Sequence, residues 1–135
     1  MFFAMNTKAV LHKLAYISVV GVGVFLLFFI IVCAWIGYEV KDLCQEAKRE
    51  YSGECVESLT ALLGDESKGF RMKNEAIWAL GQLGDRRALP VLQSYYTGVI
   101  PEREPLDKSI SQYELKKAIN LAGGGFNITA MIMRY

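Results

Sequence analysis

Cys33, Cys44, Cys55 and the lone His12 are the side chains of this chain best suited to redox, nucleophilic or metal chemistry. Cys44 and Cys55 can bridge in an oxidising compartment. Read as helix, Cys44 lies about two turns before a break at Ser52-Gly53, and Cys55 just after it. That spacing predicts Cα atoms beyond the roughly 7 Å limit of a disulfide, so the bridge is a possibility the local pattern does not favour. One histidine cannot complete a Cys/His zinc site, and no metal is expected. There is no Gly-x-Ser-x-Gly, no phosphate loop and no Cys/His nucleophile pair. Gly123 to Gly125 lacks the preceding strand and the following Lys-Ser/Thr that phosphate binding needs, and reads as a helix stop. No catalytic residue and no cofactor is expected, and the chain is not expected to be an enzyme.

The elements behind these residues begin with an apolar run. Residues 15–38 carry no charged side chain. As a helix they span roughly 36 Å, more than the roughly 30 Å hydrocarbon core of a bilayer. Tyr16 sits at one end and Trp35 and Tyr38 at the other, where amphipathic rings favour the membrane interface. A cleaved signal would have a shorter apolar region, roughly 7–15 residues, and a small-residue cleavage site. The run ends instead on the bulky Cys33-Ala34-Trp35-Ile36. The expected organisation is a short tail (1–14), a transmembrane helix in the lipid bilayer (15–38) and one small domain (39–135). Lys8 and Lys13 precede the span, and Lys41, Lys48 and Arg49 follow it among Glu39, Asp42, Glu46 and Glu50. This near balance leans towards a cytoplasmic N-terminus and an extracytoplasmic domain.

Of the 15 basic and 14 acidic residues, only Lys8 and Lys13 lie before the domain, which therefore has a net charge of −1. That excludes the basic stripe a nucleic-acid binder needs. The domain reads with period 3.6 throughout. One helix continues to about Glu50. Others are expected at about 54–63 (Val56, Leu59, Leu63), 70–83 (Met72, Ala76, Ile77, Leu80, Leu83) and 87–96 (Ala88, Val91, Leu92, Tyr95). Pro90 falls in the first turn of the last of these, where a missing N–H costs little. Residues 97–110, with Pro101 and Pro105, form a long irregular loop. Ser111 and Glu114 fit a capping box for a fifth helix carrying Leu115, Ala118, Ile119 and Ala122. Asn127 can cap a sixth, short helix in the apolar tail, where a strand or frayed end is the alternative.

Short helices separated by tight turns are the pattern of a helical solenoid. The segment Asn74 to Tyr96 resembles a HEAT-like repeat of the kind found in phycobilin lyases and bacterial scaffold proteins. Ala76, Ala79, Leu80, Gly81, Leu83, Gly84, Asp85, Ala88, Pro90 and Leu92 carry the likeness. Cys55 to Asp65 resembles the second helix of a preceding unit, and Tyr113 to Asn127 the first helix of a following one. The resemblance implies an all-α fold, a short α-solenoid of two to three helix pairs after the membrane helix. It also implies a repeat turn at Gly84-Asp85 and a protein-binding or scaffolding surface. HEAT-built metal-dependent hydroxylases use His-Glu pairs that are absent here. The anchor and the short array set the chain apart from the lyases.

Trp78 lies about 200° around its helix from Ala76, off the core stripe. It is either an interface anchor or packs on a neighbouring helix or the long loop. Tyr95, Tyr96 and Arg103, with the 97–110 loop, make a second candidate surface. Asn127-Ile128-Thr129 fits a glycosylation sequon. Gly21, Gly23, Cys33 and Gly37 are small residues able to support helix association in lipid. The expected function is a membrane-anchored scaffold presenting its repeats to a protein partner or to itself. The alternative is an accessory subunit of a membrane complex, assembled through the span.

Overall fold

No proline interrupts the sequence between Thr7 and Glu50, and these residues form one helix, α1. The computed structural model describes residues 7–132; residues 1–6 of the N-terminal tail and 133–135 of the apolar tail lie outside it. The remaining elements are α2 (Cys55–Gly64), α3 (Phe70–Leu83), a 3-10 turn (Arg86–Ala88) leading into α4 (Leu89–Tyr95), α5 (Gln112–Ala122) and α6 (Ile128–Ile132). No strand occurs among the described residues. The fold is all-α: a long apolar helix followed by several short ones.

The chain divides into two compact units, Met1–Trp35 and Ile36–Tyr135. In the first, nearly all the large apolar side chains from Ile17 to Ile31 are exposed on every side of the helix. Helix α1 is long and apolar enough to cross a membrane. Its place near the N-terminus fits either a single-pass anchor or a signal sequence.

The second unit is built around α3, which packs against α2 on one side and α5 on the other. Leu59, Leu63, Ile77, Leu80, Leu92 and Leu115 are fully buried, with Val40 and Ala47 from the end of α1. Each such leucine contributes about 1.5–3 kcal/mol by leaving water.

Cys44 and Cys55 are disulfide-bonded, with Cα atoms 5.1 Å apart. This corrects the separation expected from the local pattern. Cys44 sits six residues, roughly 9 Å, above the end of α1. The four residues joining α1 to α2, when extended, reach up to about 14 Å. They run back along α1 rather than away from it. Gly53 makes the return at φ 121°, a region closed to side chains, and a Cβ there would meet the Glu57 carboxylate. The Ser58 hydroxyl donates to Tyr51 O at 3.3 Å, and the Tyr51 hydroxyl donates to Asp65 Oδ2 at 2.5 Å. Lys68 pairs with Glu50. The two helices are thus fastened at both ends of α2.

Gly84 ends α3 in the left-handed region, at φ 63°. Asp85 Oδ1 then accepts from the Arg87 N–H at 2.9 Å and caps the 3-10 turn. The Arg87 guanidinium reaches Asp85 Oδ2 at 2.8 Å and Glu54 Oε2 at 2.7 Å, joining the repeat turn to the start of α2. That guanidinium, with the Arg87 N–H, holds the Asp85 carboxyl below its usual range.

At the C-terminal end Asn127 serves two helices. Its Oδ1 accepts from Ala130 N at 3.0 Å and caps α6. Its Nδ2 donates to Gln82 O at 3.0 Å and Gly81 O at 3.3 Å, carbonyls in the last turn of α3.

A candidate partner-binding groove

Arg71, Asn74, Glu75 and Trp78 fall at i, i+3, i+4 and i+7, so they share one face of α3 beside its core stripe. Glu114 and Lys117 do the same on α5. These two faces, with Leu106 and Asp107 from the long loop, line an open groove of about 770 Å³.

The helices that frame it run parallel. Asn74 Oδ1 accepts from Ser111 N at 2.8 Å. Seven residues further on, a Cβ on Gly81 would stand 2.8 Å from Ala118 Cα. Both pairs are 37 residues apart, and a constant offset means parallel helices, as successive first helices of a solenoid are. The lack of a side chain at Gly81 permits this close approach of α3 to α5, one turn beyond Trp78.

The loop wall is fixed on both sides. Asn74 is buried, and its Nδ2 donates to Leu106 O and Ser109 O, both at 2.9 Å. On the α5 side, the Glu104 carboxylate accepts from the Ser111 hydroxyl at 2.5 Å and from Gln112 N at 2.6 Å. Tyr113 N donates to the same carboxylate at 3.3 Å. Burial pushes the Glu104 carboxyl up, but these donors at a helix N-terminus outweigh it, and the group sits below its usual range. Gln112 closes the neck of the loop: its Oε1 accepts from Thr97 N at 2.8 Å and its Nε2 donates to Tyr95 O at 3.3 Å. Residues 97–111 are therefore a tied-down loop with adjacent ends.

Ser111 caps α5 by accepting from Glu114 N at 3.1 Å. The return half of the expected capping box is not made. The Ser111 N–H goes to Asn74 instead, and Glu114 bonds Lys117 at 3.1 Å.

Trp78 is half-buried, packed on the core with one side in the groove. Tyr95 and Tyr96 pack on the core at the end of α4, and the Tyr95 hydroxyl lies 3.4 Å from Leu63 O. Arg103 is exposed on the loop. None of these three lines the groove. Gly84 and Asp85 form the repeat turn, and Cys44 and Cys55 the bridge. Asn74, Glu104, Leu106 and Asp107 were not among the sequence candidates. The helical spacing of 71, 74, 75 and 78 was the one signal available for any of them. No cluster of His, Cys, Asp and Glu able to hold a metal occurs among the described residues.

The PBS lyase HEAT-like repeat family matches residues 73–97, which are most of α3, the repeat turn and α4. No curated relative and no solved structure matches the chain. The matched segment is similar to a HEAT-like repeat, and it contributes most of the α3 wall of the groove together with Trp78.

Proposed function

We propose that this protein is a single-pass, membrane-anchored interaction module whose HEAT-like repeats present the α3–α5 groove to a partner protein, with no catalysis of its own. The observation that carries this reading is Trp78, half-buried in a groove whose loop wall is pinned from both flanking helices. A large aromatic in a preformed recess is the usual centre of a binding hot spot, because little ordering is needed on association. The apolar run of α1 is longer than the usual apolar core of a signal peptide, which supports a retained anchor. The Cys44–Cys55 bridge supports a domain on the oxidising side of the membrane and a cytoplasmic N-terminus.

The exposed residues from Ile17 to Ile31 favour a second reading, in which the span itself assembles into a membrane complex. Mild-detergent purification of three tagged full-length forms separates the two: wild type, Trp78→Ala, and a form with residues 15–38 replaced by an unrelated apolar helix. A stoichiometric companion retained by the span replacement and lost by Trp78→Ala, in a variant that still melts cooperatively well above the assay temperature, is the expected result. A companion retained by Trp78→Ala and lost on replacing the span refutes the groove reading in favour of the subunit one.

A further inference from the structure

The groove carries more information than its shape. Five charged residues line it, and four neutralise one another within their own helices. Arg71 Nε meets Glu75 Oε1 at 3.2 Å along α3, and Lys117 Nζ meets Glu114 Oε1 at 3.1 Å along α5. The fifth, Asp107, has no hydrogen-bond or ion-pair partner among the described residues. It sits next to Leu106, which is 50% exposed although its own carbonyl is tied to Asn74.

The backbone around these two residues is held while their side chains are left unused. Glu104 anchors the loop to α5 on one side of them, and the Ser109 carbonyl anchors it to Asn74 on the other. The leucine and the unpaired carboxylate are thus held between two part-buried anchors. Here both line the same groove as Trp78. Apolar surface from Trp78 on α3 and Leu106 on the loop, with the unpaired Asp107 carboxylate among the lining residues, selects for an apolar side chain next to a cation. A tryptophan face adds to that preference, since its ring attracts cations as well as apolar groups.

We infer that the groove recognises a polypeptide segment of its partner that presents an apolar side chain beside a lysine or arginine. The inference rests on the groove being a docking site, and it adds the chemistry of what docks. Asp107 supplies the charge selectivity, whereas Trp78 and Leu106 supply most of the affinity.

The test uses full-length protein in neutral detergent micelles at about 0.15 M salt, where surface charge is screened beyond about 8 Å. The probes are short peptides with a neutral fluorophore and a central leucine flanked by lysines, serines or glutamates, read by fluorescence anisotropy. The lysine peptide is expected to bind about fivefold more tightly than the serine peptide, the size of a favourable partly exposed ion pair, with the glutamate peptide weakest. Asp107→Asn is expected to erase this ranking while leaving serine-peptide binding unchanged, and Asp107→Lys to invert it. Trp78→Ala is expected to weaken all three by about tenfold or more.

Peptides that bind in a Trp78-dependent way without regard to charge would overturn the inference while leaving the docking groove in place. A lysine preference that survives Asp107→Asn would overturn it too, because the selectivity would then reside elsewhere. Binding that ignores Trp78→Ala would count against both the inference and the groove. Failure of every peptide to bind up to about 1 mM would also overturn it.

Discussion

Asn74 is the residue on which the groove wall depends, and its removal has a size that can be worked out. Asn74→Ala deletes three hydrogen bonds at 2.8–2.9 Å: to Leu106 O, Ser109 O and the Ser111 N–H. The two carbonyls lie in the half-exposed loop and can turn to water, so each loss costs about 0.5–1.5 kcal/mol. Ser111 is buried at 1% exposure, and its N–H would be orphaned at about 1–3 kcal/mol. The sum is about 2–4 kcal/mol after some relaxation, or a melting temperature lower by about 10–25 °C for a domain near 100 residues. Hydrogen exchange should show a second signature, with amides of residues 104–112 losing protection before those of α3 and α5. Asn74→Asp sharpens the test. The carboxylate still accepts from Ser111 but faces two carbonyl oxygens, one of which it can satisfy only when protonated. Its folded-state pKa is thereby raised above about 3.9, so the variant should be closest to wild type in acid and lose stability as the pH rises above about 4. A melting temperature within two or three degrees of wild type for Asn74→Ala, with unchanged exchange over the loop, would refute this account of the wall.

Three further outcomes are expected. Gly81→Ala places a Cβ 2.8 Å from Ala118 Cα, an overpacking cost of about 1–3 kcal/mol against a gain of about 1 kcal/mol in helix propensity; thermal melts should show net destabilisation, only partly relieved by adding Ala118→Gly, since the new methyl still abuts the backbone of α5. Opening the Cys44–Cys55 bridge, which closes a loop of sequence separation 11, should cost about 3 kcal/mol by loop entropy, read as a drop in melting temperature on adding reductant that the Cys44→Ser/Cys55→Ser pair does not show. The Tyr51–Asp65 bond lowers Asp65 to about 2 and raises Tyr51 to about 12, chiefly through that hydrogen bond. Its contribution should be constant between about pH 4 and 10 and lost on either side: in acid as the pH falls through about 2, in base as it rises through about 12. Ultraviolet titration should find one tyrosine ionising late in wild type and none so late in Asp65→Asn.

The helices were legible because their cores repeat every three to four residues and their ends carry glycine, proline or capping side chains. Residues such as Ala76, Ile77 and Leu80, or Leu115 and Ala118, announce their own burial. Trp78 was legible as an off-core residue from its angle on α3, though its neighbours were not. The wall it faces comes from Glu104, Leu106 and Asp107 in a stretch with no period, placed by partners on α3 and α5. Asn74 reads as an ordinary polar helix residue because its three partners lie 32 to 37 positions later. The bridge was misjudged for a related reason. A Ser-Gly break says that a helix stops; it does not say that the chain then climbs back along it. Half of the Ser111–Glu114 box failed because a buried side chain from another helix competed for the same N–H.

Asn127 has a consequence for how this chain would be processed. The amide nitrogen to which an N-linked glycan attaches already donates to two carbonyls in the last turn of α3. Attachment there replaces one of the two amide hydrogens, so a glycosylated Asn127 could keep at most one of its bonds to α3. In a compartment that modifies such sequons, occupancy at Asn127 would depend on whether the enzyme or the fold reached the nitrogen first. The fraction of glycosylated chains would then act as a clock for how quickly the last helix docks.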